Sequence, residues 1–360
     1  MSDGCGGIPA DVFLNILLRI PPSPRRRLRL VCRHWRDAID ERAPEPRAFV
    51  KVLSFHIKGG RSHAYVFDDL TAGRSRELDL EDSGVDSYDG VNSPRVSMII
   101  GTCNGLLCLG RKRGDIAVTN PVIGETIAVD PPPMSRYRDM TTYSFGYHPA
   151  TGQYKIVHFP CNNQRSDLAA VHVFTLGDGT WQWREVPAPP GSSCHLGFGL
   201  TTVHGVTYWA TKNGQRIMSF DLKDERIANV DAPPVPAPQP SASCRPSCHL
   251  TDLGGRLGLV VCDLPDEFKR SKTEVWVLED GMWVKRYTML AHGVYPRQEI
   301  ALPHVAHDEH VLTTCKLWGY SSDETTLEAH RPRQERKMRP CGMVRVGAPR
   351  PETTVGVYDV

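Results

Sequence analysis

The chain has 360 residues, with 43 lysines and arginines against 41 acidic residues, for a net charge of +2. This balance gives no global bias toward nucleic acid or membrane surfaces, and the lack of an apolar run of about 18 residues predicts no membrane-spanning helix. The 29 prolines and 31 glycines favour many turns over long helices. The 11 scattered cysteines contain no C-x-x-C pair, and no secretory signal is evident, so we expect an intracellular protein of the nucleus or cytoplasm.

The first 46 residues have the pattern of a small helical unit. Apolar residues recur at helical spacing from Val12 to Ile20, and the Pro21-Pro22 pair ends this segment. A second stretch with helical spacing contains Leu28, Val31 and Trp35. A unit of about 35 residues buries too little surface to fold alone, so its apolar faces must pack on the rest of the chain or on a second protein. The apolar pattern alone leaves these two alternatives open.

A resemblance favours the second alternative. The segments Ile8-Pro9, 12–21 (VFLNILLRIP) and 30–36 (LVCRHWR) resemble an F-box, although 22–27 (PSPRRR) departs from the usual linker. The resemblance implies binding of a Skp-type adaptor and, through it, a cullin of a ubiquitin ligase. The residues expected to bind the adaptor are Ile8, Pro9, Val12, Ile16, Leu17, Ile20, Leu28, Val31 and Trp35.

Short β-type runs separated by turn residues follow from about residue 48. A strand–turn–strand pattern begins near residues 64, 115, 171, 216, 273 and 315, with turns near Gly73, Gly124, Gly179, Lys223, Gly281 and Asp323. A second recurring segment precedes most of these hairpins, as in 104–109 (NGLLCL) and 204–209 (HGVTYW). A period of about 50 residues with two hairpin-like halves is typical of a kelch-type β-propeller, here of about six blades.

The expected fold class is therefore α+β and multidomain: a helical F-box at 8–46, then an all-β, kelch-like propeller at 48–328. The proline-rich stretch 232–248 should be an extended loop. The last segment, 329–360, is rich in Arg and Pro, so we expect it to be mobile, with a closing strand within Thr353–Val360.

The β-region also resembles a known domain. The segments 101–109 (GTCNGLLCL), 147–157 (YHPATGQYKIV) and 217–222 (IMSFDL) resemble the plant F-box-associated domain, so the chain resembles a plant F-box protein with a C-terminal domain of this type. In that family the domain captures the target of the ligase. The resemblance does not identify the target protein.

Candidate catalytic or metal-binding residues are few. His304, His307 and His310 are candidate metal ligands, but their flanking apolar residues favour a loop that enters a strand. Cys244, Cys248 and His249 lie near prolines and lack a second ligand pair. No phosphate-binding loop, dinucleotide fingerprint or nucleophile elbow is present. We therefore predict no catalytic residues, no metal and no cofactor.

The leading hypothesis is a non-catalytic substrate receptor of a Skp–cullin–F-box ubiquitin ligase, with no nucleic-acid or membrane partner. The alternative is a propeller enzyme of the kelch or galactose-oxidase type, which would need metal ligands or acid–base groups at one mouth of the propeller. A third hypothesis is a receptor that binds the adaptor outside a ligase.

Overall fold

The computed structural model describes Trp35 and residues 51–58, 61–69, 74–78, 98–111, 115–121, 123–132, 142–161, 166–212, 214–231, 247–263, 271–291, 297–300, 306–307, 310–317, 324–331, 339–344 and 356–359. The chain divides into two units, Met1–Val50 and Lys51–Val360. In the first unit, Trp35 is helical and partly buried. The predicted helices at 12–20 and after residue 28 otherwise lie outside the described residues.

The described strands of the second unit form six antiparallel sheets, numbered here in chain order. Sheet 1 contains β1 (Val52–Lys58), β2 (Arg61–Asp69), β3 (Arg74–Leu78) and β25 (Gly356–Asp359). Sheet 2 contains β4 (Met98–Cys103), β5 (Leu106–Gly110), β6 (Ile116–Thr119) and β7 (Thr126–Val129). Sheet 3 contains β8 (Tyr143–His148), β9 (Gln153–His158), β10 (Ala170–Thr175) and β11 (Arg184–Pro187).

The remaining three sheets follow the same plan. Sheet 4 contains β12 (Thr201–Val203), β13 (Val206–Ala210), β14 (Ile217–Asp221) and β15 (Ile227–Val230). Sheet 5 contains β16 (Ser247–Asp252), β17 (Leu257–Asp263), β18 (Ser271–Glu279) and β19 (Met282–Ala291). Sheet 6 contains β20 (Arg297–Ile300), β21 (Ala306–His307), β22 (His310–Leu317), β23 (Glu324–Arg331) and β24 (Arg339–Val344). A 3-10 helix, Leu196–Phe198, precedes β12.

Sheets 2 to 5 are simple meanders, in which consecutive strands pair in the order of the chain. Sheet 1 differs because β25 pairs antiparallel with β1, with Val52 opposite Asp359. The six predicted strand–turn–strand units are confirmed as the hairpins β2–β3, β6–β7, β10–β11, β14–β15, β18–β19 and β22–β23. The second recurring segment is also confirmed, since it forms β5, β9, β13, β17 and part of β22.

Among the described residues, the core lies between successive sheets from sheet 1 to sheet 5, because the middle strands carry apolar residues on both faces. On β5, Leu107 and Leu109 join a cluster with sheet 1, whereas Cys108 between them joins a cluster with sheet 3. The same alternation on β9 directs Ile156 toward sheet 2 and Val157 toward sheet 4. We call each of these sheet-to-sheet contacts a seam.

Two segments differ from the sequence predictions. Cys248, placed by the sequence in an extended loop, lies in β16, where its side chain shares a buried face with Leu250. The segment from 329 onward, predicted to be mobile, contains the end of β23 and all of β24, while the closing strand predicted within Thr353–Val360 is confirmed as β25. Backbone pairing with β22 continues to His330, so the predicted domain end at 328 falls inside a strand.

Candidate functional site

The adaptor-binding residues predicted from the sequence fall in the first unit. Of these, Ile8, Pro9, Val12, Ile16, Leu17, Ile20, Leu28 and Val31 lie outside the described residues. Trp35 is in a helix and is partly buried, with at least one interaction. The set of adaptor-binding residues therefore stays a prediction. The contacts described below are those of the second unit.

The first turn of each meander, between its first and second strands, brings neighbouring sheets together. In sheet 4 this turn is His204-Gly205, with φ angles of 48° and 77°, and in sheet 2 it is Asn104-Gly105, with 51° and 79°. A Cβ on Gly205 would lie 2.6 Å from Cδ2 of His148 in sheet 3. A Cβ on Gly255 would lie 2.7 Å from Nε2 of His204. Glycine therefore provides both the turn conformation and the room for the neighbouring histidine.

A polar cluster with a buried lysine, formed by Lys155, Arg184 and Glu225, joins sheets 3 and 4 beside these turns; we call it the clasp. Lys155 Nζ lies 2.7 Å from Glu225 Oε1 and also donates to the Leu222 carbonyl. Arg184 Nη1 and Nη2 donate to Glu225 Oε2 and Oε1, each at 2.7 Å. The Lys155 side chain is 4% exposed, whereas Arg184 is 46% exposed. The hydrogen bonds from Arg184, together with Lys155, hold the pKa of Glu225 below its usual value despite burial.

A short chain of hydroxyl groups crosses the same seam nearer the first strands. Ser144 Oγ lies 2.7 Å from Thr202 Oγ1, which lies 2.8 Å from Thr207 Oγ1. Thr201 continues to the next seam, where its hydroxyl donates to the Leu250 carbonyl at 3.0 Å. Satisfied buried hydroxyl groups fix the register between sheets because an unpaired one would be costly.

Two tryptophans make the same contact at the outer strands. Trp183 Nε1 donates to the carbonyl of Asp130 at 2.7 Å, and Trp283 Nε1 donates to the carbonyl of Asp231 at 2.7 Å. Each acceptor directly follows the outermost strand of the preceding sheet. The indole groups therefore hold the edge of sheet 2 to sheet 3 and the edge of sheet 4 to sheet 5.

A histidine pair lies at the opposite ends of β9 and β10. His158 and His172 are directly opposite each other, with their Nδ1 atoms 3.0 Å apart and their rings stacked. One ring must donate and the other accept, so at least one histidine is neutral. Burial, with a smaller effect of His172, lowers the pKa of His158 to about 3, and burial also lowers the pKa of His172. This pair belongs to the seam between sheets 2 and 3, beside Tyr143.

The thiols of Cys103 and Cys108 are poor nucleophiles. Burial raises the pKa of Cys103 to about 11 and raises that of Cys108 further. Within the described ranges, no group of three or more His, Cys, Asp or Glu side chains has metal-site geometry. Of the three histidines considered for a metal, His307 and His310 lie opposite each other in the β21–β22 hairpin, and His310 begins β22 as the loop-to-strand reading predicts. His304 lies outside the described residues.

Large apolar side chains are exposed at the outer strands and at the third turns, which join the third and fourth strands. They are Ile123, Ile127, Trp181, Met282 and Val284. Trp181 is 53% exposed, and its ring centroid lies 6.0 Å from that of Phe174. The sequence prediction missed these residues as a surface. The available signal was a tryptophan directly after the Gly-Asp-Gly-Thr turn, where a polar residue is the usual choice.

Meander sheets of four strands that pack face to face, with apolar clusters in the four described seams from sheet 1 to sheet 5, define a β-propeller protein. The sequence matches the F-box associated beta propeller domain over residues 77–321 and the F-box domain over residues 7–44. The chain belongs to the F-box associated beta propeller domain family. The propeller domain thus follows an N-terminal F-box, and the matched region ends at residue 321 rather than at the C-terminus.

Two relatives from Arabidopsis thaliana match over most of their length. The At1g32420 protein is 25% identical over 300 residues, which cover 78% of this chain and 88% of the relative. The F-box protein At3g07870 is 22% identical over 329 residues, which cover 80% of this chain and 74% of the relative. Within the described residues, no helix is long and apolar enough to cross a membrane.

Proposed function

We propose that this protein is the substrate-recognition subunit of a Skp–cullin–F-box ubiquitin ligase. Its F-box binds the Skp-type adaptor, and its propeller captures a target protein. The F-box match at residues 7–44, followed by the propeller match at 77–321, is the observation that supports this proposal. A receptor of this kind acts by proximity, because it raises the effective concentration of the target near a ubiquitin-loaded enzyme. It needs no catalytic group or cofactor of its own.

The finer features of the proposal concern both units. The F-box is helical over residues 8–46, and its apolar stripe contacts the adaptor, with Ile16 and Leu17 at the centre of the first helix. The propeller has six blades, one for each sheet, and β25 closes the first blade by pairing with β1. The protein works in the nucleus or cytoplasm, where the adaptor and cullin are available.

The propeller offers a rigid surface for display. Its seams are filled with apolar side chains and tied by the clasp, by the hydroxyl chain and by the two outer indole groups. Rigid sheets that expose side chains on their turns suit recognition, because little conformational entropy is lost when a partner binds. This favours a binding role for the turns and outer strands.

The proposal is tested by adaptor binding of the full chain carrying Leu17→Asp. A carboxylate buried in an apolar interface should reduce adaptor affinity at least ~100-fold, since an unpaired buried charge costs several kcal/mol. The matched control is Met282→Asp, which adds the same charge at a side chain that is 67% exposed on the propeller, and which should bind the adaptor normally.

The measurement is co-purification with the Skp-type adaptor, with thermal unfolding recorded for both variants. The expected result is loss of adaptor with Leu17→Asp at an unchanged unfolding temperature of the propeller. Wild-type affinity of Leu17→Asp for the adaptor would contradict the assigned F-box surface.

A further inference from the structure

The outer edges of the sheets differ in how they are protected against pairing with another strand. Edge strands in soluble proteins are usually blocked by charged residues or proline. The outer strand β11 contains Arg184 and ends at Pro187, and β19 contains Lys285 and Arg286. In contrast, the outer strands β7 (Thr-Ile-Ala-Val) and β15 (Ile-Ala-Asn-Val) contain neither a charge nor a proline. The edge of sheet 2 is therefore open to pairing.

The hydrogen-bond register shows which groups of β7 face outward. Asn120 N–H donates to the Glu125 carbonyl at 2.9 Å, and bonded pairs in an antiparallel ladder recur at every second residue. Ile127 is therefore bonded to Val118, while Thr126 and Ala128 direct their N–H and C=O groups away from the sheet. Thr119 and Thr126 form a pair whose backbones are not hydrogen-bonded to each other. Side chains are close in such a pair, and the two hydroxyl oxygens are 3.0 Å apart.

Apolar side chains flank this free edge. Ile127 shares its strand face with the buried Val129 and so faces the seam with sheet 3, yet it is 41% exposed. Trp181 extends from the third turn of sheet 3 at the same seam, because its ring contacts Phe174 of the seam core. Its φ of 51° is unusual for a bulky side chain and costs of order 1–3 kcal/mol. An exposed tryptophan held in a strained turn is typical of a binding residue.

The described charged side chains around this edge are mostly acidic. Glu125, Asp130, Asp178 and Glu185 are all exposed on the two outer strands or their turns. Among the described residues of these strands and turns, the only basic side chain is Arg184, and its guanidinium is bound to Glu225 of sheet 4. Within the described residues, the outer end of this seam thus combines carboxylates, apolar groups and backbone groups that point away from sheet 2. We call it the acidic edge and define it by Glu125, Ile127, Ala128, Asp130, Asp178 and Trp181.

We propose that the acidic edge binds an extended segment of a partner protein in which basic and aliphatic residues alternate, and that this segment adds a strand to β7. The outward groups of Thr126 and Ala128 supply backbone hydrogen bonds. On the face that Ile127 shares with the seam, lysine or arginine side chains of the segment pair with Glu125 and Asp178 and lay their aliphatic stems against Ile127 and the Trp181 ring, while the alternate aliphatic side chains lie on the opposite face. Only the identification of this partner as a target of the ligase rests on the proposed function; the strand pairing does not.

The experiment measures fluorescence anisotropy of a labelled peptide of four Lys-Val repeats titrated with the full chain. A peptide of four Glu-Val repeats serves as the control of opposite charge. We expect saturable binding of the Lys-Val peptide and at least ~10-fold weaker binding of the Glu-Val peptide, because like charges at an interface are unfavourable. Equal affinity for both peptides, or no saturable binding of either, would overturn the proposal.

Ala128→Pro tests the strand pairing directly. It removes an outward N–H of β7 without removing a bond within sheet 2, and it should reduce affinity for the Lys-Val peptide at least ~10-fold. The matched control is Asn229→Pro on β15. There, Asp221 N–H donates to the Arg226 carbonyl at 3.0 Å, so the same alternation directs the N–H of Asn229 outward. We expect wild-type affinity from this control. An Ala128→Pro variant that binds like Asn229→Pro would overturn the strand addition.

Trp181→Ala and the double variant Glu125→Gln, Asp178→Asn make the test independent of the proline substitution. Each should weaken Lys-Val binding about 5- to 20-fold, as expected for the loss of one aromatic anchor or two charge pairs. Wild-type affinity in both variants would exclude the acidic edge as the site. Adaptor binding by the same variants should stay unchanged, so failure of the peptide experiment is distinguishable from failure of the proposed ligase function. Concentration-dependent dimerisation in place of peptide binding would assign the edge to a second copy of this chain and contradict the proposed partner.

Discussion

The seam between sheets 3 and 4 and the seam between sheets 2 and 3 have the same apolar interior but different outer ends. In the first, Glu225 reaches from the third turn of sheet 4 to Lys155 and Arg184 of sheet 3, so the clasp closes the seam. In the second, Ile127 and Trp181 lie exposed at the outer end, and the one described cation that acts on a nearby carboxylate, Arg184 on Asp178, is already hydrogen-bonded to Glu225. One end is completed within the chain and the other is available to a partner.

This difference shows how a repeated fold separates stability from recognition. Apolar clusters fill both of these seams, and the outer indole contact occurs at the seam between sheets 2 and 3 and again between sheets 4 and 5. The polar residues that finish each seam do not recur, and they decide whether its outer end is closed. We therefore expect substitutions at the clasp to change stability, and substitutions at the acidic edge to change binding.

The largest expected loss of stability comes from Lys155→Ala, which breaks the clasp at the closed seam. This change removes a buried charge partner of Glu225 and leaves the Leu222 carbonyl without its donor, so the free energy of unfolding should fall by about 3 kcal/mol. The matched change on the same carboxylate is Arg184→Ala, which should cost under about 1 kcal/mol because that side chain is half-exposed. Urea unfolding at pH 7 measures both. Equal losses would contradict a clasp that depends on its buried arm.

The next largest effect is the loss of stability at acidic pH that the His158–His172 pair should cause. His158 and His172 are held neutral in the seam between sheets 2 and 3, so the unfolded chain binds protons near pH 6.5 that the folded chain does not. Their contribution is complete above about pH 6.5 and is lost as pH falls toward the folded pKa of His158, about 3. From pH 7 to pH 5, His158 alone should lower the free energy of unfolding by about 2 kcal/mol.

Urea unfolding across this pH range provides the measurement. A His158→Gln variant should have a shallower slope between pH 5 and pH 7 than the wild type. A slope that is unchanged in this variant would show that the histidine pair does not account for the acid sensitivity of the seam.

The smallest expected effect on stability is at the open end. Trp181→Gly removes a half-exposed ring but relieves a positive φ that glycine adopts freely, so the free energy of unfolding should change by less than about 0.5 kcal/mol. The same variant should lose most of its affinity for the Lys-Val peptide. Thermal unfolding and peptide anisotropy on one preparation separate the two effects. A large loss of stability would mean that Trp181 is a structural residue of the seam.

The strands and their turns follow from local chemistry, which is why the sequence predicts them. Asn104-Gly105 and His204-Gly205 provide the positive φ angles of tight turns, and the apolar runs after them become the second strands of their sheets. Cys248 was assigned wrongly because nearby prolines suggested a loop, whereas its pairing with Val261 in β17 decides its structure.

The site residues of the propeller could not be predicted in the same way. Lys155 and Glu225 are 70 residues apart, and nothing local to either residue specifies their contact. A lysine inside the apolar run Tyr-Lys-Ile-Val was the available signal that a buried partner exists. The openness of the acidic edge depends on which groups of sheets 2 and 3 meet at their seam, and only the structure supplies that information.

The receptor role is tested most directly by mass photometry of the full chain mixed with a Skp-type adaptor and a cullin. We expect one species whose mass is the sum of the three proteins. This species should disappear with Leu17→Asp but not with Met282→Asp. A species containing the chain and the adaptor without the cullin, or no complex at all, would contradict a ligase receptor.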